Sequence, residues 1–315
     1  MKRVFSLLLF LIFPGFLLLY PQTALTYAKA GLMLWFYTLL PSLLPFLIFS
    51  SLLLKTRVPD RLICAPKYFW KKVFALSPQG AYALVLGIFC GYPMGAKVTA
   101  DLYREHRITK KEASYLLTFA NYPGPAFLSA FLCVGMFQKP ELVFPTYGIV
   151  YISGFLCSLC TRHFFKLPNN VRTPIPCKKE VSSSHSFGEI LDTSIMNGFE
   201  TITKLGGYII LFSILQGISD QILKDSLQMK YLLPCCIEVT TGLSALSCSP
   251  WPFSVTYPLA LGFTAFGGLC VAAQTKSMLA HTDLSLKPYL LGKLCTAVWT
   301  VLLAAFLVKI IKIVI

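Results

Sequence analysis

The sequence predicts an all-α, polytopic membrane protein built from two inverted repeats, each with a re-entrant hairpin and a broken helix. Three observations predict this fold. The 315 residues are 56% apolar and only 13% charged, with a mean hydropathy of +0.67, which is more apolar than soluble domains are. Breaks rich in glycine or proline interrupt the apolar stretches, at residues 91–97, 121–125, 238–242 and 266–274. The basic loops give the two halves opposite orientations.

The breaks recur at a fixed spacing. Gly91 and Glu238 are 147 positions apart, and so are Phe119 and Phe266. Identity between the halves at this offset is sparse, so the repeat is one of pattern. In hydrocarbon an unwound backbone leaves polar groups without hydrogen bonds, and it persists only where protein or a water-filled cavity covers it. Interrupted helices at corresponding positions of two halves indicate a substrate site between them, and therefore a transporter.

The first half is predicted to contain two units. Residues 1–22 form an N-terminal span or signal anchor, because an apolar stretch follows Lys2 and Arg3. Residues 24–161 contain the first repeat and the span after it. Its parts are a kinked span, two short hairpin arms, a broken span and a full span, at residues 31–54, 81–89, 96–103, 115–137 and 143–161. Nine residues of helix cover only about 13 Å, less than half of the hydrocarbon core, so the first arm is expected to turn back.

The second half repeats this order in the opposite orientation. Residues 162–189 are predicted to be a polar, basic cytoplasmic linker, followed by the second repeat at 190–280 and a C-terminal span at 288–315. The second repeat begins with an amphipathic helix and contains a hairpin around residues 238–242. Residues 55–72 carry six basic side chains and one acid, which places that loop in the cytoplasm. The first hairpin is therefore expected to enter from the cytoplasm and the second from outside.

Composition also argues against several functions. The net charge of +15 resides in short loops without a nucleic-acid-binding motif, so we expect a lipid bilayer as partner and no nucleic acid. No hydrolase, kinase or dinucleotide motif is present, so no enzymatic activity and no cofactor are expected. A phosphate-binding loop is also missing, which argues against direct ATP coupling. Cys157 and Cys160 form a lone CxxC without neighbouring ligands, so no metal site is expected.

Glu238 is the acid at a hairpin tip. An ionisable residue at membrane depth indicates a functional site, because its desolvation is costly. It can accept hydrogen bonds from substrate, hold a proton or help to bind a coupling cation, and Thr240 and Thr241 add hydroxyls beside it. The alternative is a structural acid that binds the backbone amides of its own turn.

Lys97 follows the first tip and shares a helix face with Asp101. It either forms a plain salt bridge or supplies a cation for an anionic substrate. Asn121 offers an amide at the first break, suited to fixing a polar ligand. The remaining predicted site residues shape the backbone, except for Gln274, which is expected to face the cavity: Gly91, Gly95, Gly124, Gly267, Gly268 and Gln274.

The segments GYPMGAKVTADL, NYPGPAF, EVTTG and FGGLCVAAQ, in this order and spacing, resemble the YlbJ family of sporulation integral membrane proteins, which carry nucleoside-recognition (gate) domains. The resemblance covers roughly residues 31–308. It implies a fold similar to concentrative nucleoside transporters, with residues 24–161 and 190–280 as gate-like repeats. It further implies a location in the mother-cell or outer forespore membrane during sporulation, and transport of dipicolinic acid, a small planar dianion, towards the forespore.

Alternatives remain open at this point. The substrate can be a nucleoside or another organic solute, and the coupling ion can be a proton or sodium. The analogy with the nucleoside carriers also allows a homo-oligomer. A different class of function is a non-transporting sporulation scaffold, in which the breaks serve only packing.

Overall fold

The computed structural model describes residues 13–56, 67–165, 187–222 and 227–314. Within these ranges the chain is helical and contains no strand, so the all-α prediction is confirmed. In the same ranges, four helices are long and apolar enough to span a membrane, or six if each of two bent helix pairs is counted as one span. The predicted N-terminal span or signal anchor lies partly outside the described residues, because the description begins at residue 13.

Residues 13–19 are helical, and a bent pair of helices follows them. Helix α1 (Pro21–Met33) continues through a π-helical stretch (Leu34–Leu39) into α2 (Leu40–Thr56). The axis bends by 56° between residues 21–39 and 43–49, around Pro41. The predicted start at residue 31 is wrong, because Pro21 occupies the first position of α1, where a missing N–H costs nothing.

The first hairpin is a pair of short helices. After α3 (Lys67–Phe74), α4 (Pro78–Cys90) and α5 (Met94–Arg104) are joined by a three-residue tip. The first arm is therefore 13 residues long, not nine. The reason is a cap: the Ser77 hydroxyl accepts the N–H of Gly80 at 3.0 Å, and Pro78 opens the helix. Thirteen residues still cover only about 20 Å, less than a bilayer core.

The first broken helix has a wide gap. Helix α6 (Lys110–Phe119) stops before residues 120–124, and the chain is helical again from Pro125, continuing as a π-helix (Phe127–Met136). A short 3-10 turn (Pro140–Leu142) leads into α7 (Val143–Phe165). Of the predicted linker at 162–189, residues 166–186 lie outside the described ranges, while its first residues end α7.

The second half begins with one long helix, α8 (Phe187–Ile222), which contains both the predicted amphipathic stretch and the following span. The second hairpin consists of two short helices, and the second broken helix and the last span follow it: α9 (Leu227–Ile237), α10 (Val239–Ser247), α11 (Phe253–Phe266), α12 (Gly268–Met278) and α13 (Lys287–Val314). The predicted spacing reappears in the helix ends. Helices α4 and α9 end 147 residues apart, and so do α6 and α11.

The two breaks differ in width. Residues 253–278 form one stretch long enough to span a membrane, interrupted only where Gly267 adopts a left-handed conformation (φ 84°). The predicted second break is therefore present, but it is only one residue wide. Pro123 and Pro125 prevent the helix from continuing at the first break, whereas the glycines of the second break allow it to restart at once.

Helix α13 positions the site. It packs against α11, α7 and α6, and so it touches both of the helices that stop at a break. Helix α12 contacts α5, α8 and α9, while α8 also covers α1 and α2. Both breaks therefore lie beside α13, and α12 contacts one helix of each hairpin.

Candidate functional site

One buried lysine joins the two breaks. Lys293 lies on α13 and is only 4% exposed. Its Nζ donates hydrogen bonds to the carbonyl oxygens of Asn121, at 2.6 Å, and Ala265, at 2.8 Å. Carbonyls at helix C-termini lack partners within their own helix, and a buried ammonium is costly unless it is hydrogen-bonded. The Lys293 ammonium and these two carbonyl groups therefore provide one another with hydrogen-bond partners.

The neighbour of Lys293 explains how the lysine reaches this position. A Cβ atom on Gly292 would lie 2.0 Å from the carbonyl oxygen of Thr118, so only glycine lets α13 approach α6 so closely. Two aromatic rings complete the surroundings of Nζ. It lies 5.3 Å from the ring centroid of Tyr92, at the first hairpin tip, and 6.0 Å from that of Tyr289. Both rings stabilise a cation.

Asn121 connects the first break to two other elements. Its side chain is buried, Oδ1 accepts the N–H of Ala96 at 3.3 Å, and Nδ2 donates to the hydroxyl of Thr275 at 3.4 Å. Ala96 is in the first turn of α5, whose own cap residue, Pro93, offers no side-chain acceptor. Asn121 therefore caps α5 from outside and ties it to α12.

Glu238 caps the second hairpin. Its buried carboxylate accepts the backbone N–H groups of Thr240, at 3.2 Å, and Thr241, at 2.9 Å, and both of their hydroxyls. The Thr241 hydroxyl also contacts Gln216 of α8. This is the structural alternative considered above, an acid bound by its own turn, and it anchors the tip to α8.

Lys97 forms a salt bridge with Asp101, which was the first of the two alternatives for this residue. Its Nζ lies 3.1 Å from the carboxylate of Asp101, with the side chains 23% and 16% exposed, and Asp101 also binds Arg104 at 2.8 Å. Lys97 is thus paired within α5, and the cation between the breaks is Lys293. Sequence reasoning missed Lys293, although a lone ionisable residue inside the last apolar span is a recognised signal of function.

The predicted glycines hold the hairpins against the breaks. A Cβ atom on Gly95 would lie 1.8 Å from the carbonyl oxygen of Ala120, and one on Gly91 would lie 2.6 Å from the backbone nitrogen of Gly124. In the second half, Gly268 has a positive φ of 73° and faces the last carbonyls of α9. These residues bring backbone segments together, as predicted. Gln274 is buried, and its amide donates to Cys270 at 3.2 Å within its own helix.

The space beside Lys293 is small. The cavity measures about 10 Å³ and is lined by residues that include Thr118, Asn121, Ala265, Lys293 and Thr296. A volume of this order holds one water molecule. The Tyr92 hydroxyl is also buried, without a hydrogen-bond partner in the described ranges. The site is thus closed, and a larger ligand requires the helices to separate.

An exposed polar cluster closes one end of the helix bundle. Asp283, in the loop before α13, accepts hydrogen bonds from Lys110 at 2.6 Å and from the Tyr103 hydroxyl at 2.7 Å. The hydrogen bond from the Lys110 ammonium lowers the pKa of the Asp283 carboxyl. The cluster connects the end of α5 and the start of α6 to the end of the second repeat.

Several apolar helices that enclose capped hairpin tips and a buried cation define an integral membrane protein with a polar centre. The chain is 27% identical to the sporulation integral membrane protein YlbJ of Bacillus subtilis (strain 168), over a 334-residue alignment that covers 95% of this chain and 81% of the relative. The YlbJ-like resemblance predicted from the four motifs is confirmed by this similarity. No family model and no solved structure matches the chain.

Proposed function

We propose that this protein is a membrane transporter, a secondary carrier or channel-like protein for a small polar anion, with dipicolinic acid moved towards the forespore as the first candidate. The observation that carries the proposal is the contact of one buried cation with both helix breaks. The proposed location is the mother-cell or outer forespore membrane. The similarity to a sporulation membrane protein supports that setting.

The proposed architecture is a pair of inverted repeats similar to concentrative nucleoside transporters. The shared offset of 147 residues between corresponding helix ends supports the repeat. In carriers of this kind the site lies between the repeats, and one unit moves against the other to expose it alternately on each side. Here the hairpins α4–α5 and α9–α10 are the proposed moving units, and α13 belongs to the scaffold.

Charge favours an anionic substrate. Within the described ranges Lys293 forms no ion pair with a carboxylate, so its charge is balanced only by carbonyl dipoles and aromatic rings. An anionic group that entered between the breaks would gain this attraction in a poorly hydrated site. Asn121 and the unpartnered Tyr92 hydroxyl supply polar contacts nearby. We propose no enzymatic activity and no cofactor, and homo-oligomerisation stays open.

Asn121→Ala is expected to reduce uptake at least tenfold while the protein remains in the membrane, because the cap of α5 and the link to Thr275 are lost. The measurement is uptake of labelled dipicolinate and labelled uridine into proteoliposomes. Asn197→Ala, an identical change on the exposed face of α8, is the matched control and should retain uptake.

The outcomes separate the candidate functions. Uptake of uridine alone would keep a transporter and replace its substrate. If the wild type moves neither solute, the proposal fails for both, and a sporulation scaffold becomes the better account. A scaffold predicts that substitutions within residues 162–189 or 55–72 harm sporulation more than substitutions at the hairpin tips.

A further inference from the structure

The position of the Lys293 ammonium matches that of an ion in other membrane proteins. In transporters with discontinuous helices, unwound carbonyls and helix C-terminal ends coordinate the coupling cation near the middle of the membrane. Here the carbonyl oxygens of Asn121 and Ala265, one from each broken helix, lie 2.6 and 2.8 Å from Nζ. The ligand types are those of an ion site, but the cation is covalently attached to α13.

The electrostatic surroundings are those of a monovalent cation site. The Ala265 carbonyl belongs to the last turn of α11 and the Asn121 carbonyl follows the end of α6, and the C-terminal end of a helix carries partial negative charge. The rings of Tyr92 and Tyr289 add their own attraction, and no acid in the described ranges pairs with the ammonium. These surroundings favour a single positive charge, whereas a divalent ion would exceed what two neutral carbonyls balance.

We infer that Lys293 is a built-in substitute for an exchangeable coupling cation, so that the wild-type protein needs no sodium at this position. Removal of the lysine should leave an empty cation site. Both carbonyls would remain, the volume of the lost side chain would join the existing cavity, and Thr118 and Thr296 line the same space. The conclusion that transport needs no sodium rests on the proposed transport function. The conclusion that Lys293 occupies a cation site rests on the geometry alone.

The test is thermal unfolding of the full-length protein in detergent, with sodium chloride titrated against choline chloride at constant ionic strength. Lys293→Ser should have a lowered Tm in choline and regain it in sodium, by about 2 °C for each tenfold increase above the dissociation constant. Wild type and Lys287→Ser, a matched change at the exposed start of α13, should not respond to sodium. Lys293→Gln, whose side chain is one atom shorter but keeps N–H donors and fills most of the space, should show a smaller sodium response.

Three results would overturn the inference: a folded Lys293→Ser that ignores sodium, a wild type stabilised by sodium as strongly as the variant, or wild-type uptake that stops when choline replaces sodium. If Lys293→Ser does not fold, Lys293→Gln and the wild type decide by the same criteria. Because unfolding needs no transported solute, a sodium response in the variant would uphold the inference even if no uptake is found. Sodium-dependent uptake by the wild type would support the proposed transport function and contradict the inference about Lys293.

Discussion

Gly95→Ala is expected to destabilise the protein by more than about 3 kcal/mol, which for a chain of 315 residues corresponds to a fall in Tm of roughly 5 °C or more. The added methyl group would lie 1.8 Å from the carbonyl oxygen of Ala120, which is backbone and cannot rotate away. Hairpin α4–α5 would have to leave the first break, and Asn121 would lose its contact with α5. The measurement is the Tm of purified protein, together with its yield from the membrane.

The control substitution for this prediction is not expected to destabilise the protein. Gly148 lies inside α7, and a Cβ atom there would meet nothing within 4 Å. Gly148→Ala should therefore be neutral or stabilise the protein by up to about 1 kcal/mol, since alanine is the better helix former. Equal effects of the two substitutions would contradict the close packing of the hairpin against the break.

Glu238→Ala is expected to destabilise the protein by about 2–4 kcal/mol, because the buried cap of α10 is lost and its amides are left without acceptors. Glu238→Gln should have a smaller effect on Tm, since one acceptor oxygen remains, but its amide N–H₂ would face the donors of Thr240 or Thr241. We expect uptake to be lost in both variants, because the tip no longer holds its shape. Tm and uptake are measured on the same preparations.

Glu141→Ala is the control for the cap, since Glu141 is an exposed acid in the 3-10 turn before α7. Its Tm and uptake should match those of the wild type. If Glu238→Gln kept full uptake, the acid would be neither a proton carrier nor a critical cap. Loss of uptake with an unchanged Tm would instead assign Glu238 a direct role in the transport cycle.

The sequence was most informative about where the helices stop. The glycine and proline pattern predicted breaks at residues 121–125 and 266–274, and helices α6 and α11 end beside them, at Phe119 and Phe266. The start of α4 was missed although Ser77 and Pro78 form an ordinary helix-start signal. The difference in width between the breaks could not be predicted, because glycine permits a helix to end or to restart, and only tertiary packing decides between the two.

The central cation was missed for a different reason. An ion pair leaves a sequence pattern, such as the four-residue spacing of Lys97 and Asp101, which was predicted and found. Lys293 binds backbone carbonyls from two distant helices, and every residue has a carbonyl, so nothing in the sequence identifies its partners. Its partners follow from the arrangement of α6, α11 and α13, in which Gly292 permits the closest contact.

The unequal breaks have a mechanical consequence. At the first break, Pro123 and Pro125 fix two backbone torsions, and Asn121 is bound on three sides, so this segment is stiff. At the second break, Gly267 and Gly268 both have positive φ and no side chains, so rotation there meets the least steric resistance. Within the second repeat, a swing of one helix half relative to the other would therefore be concentrated at these two glycines, whereas the first break would transmit a movement without bending.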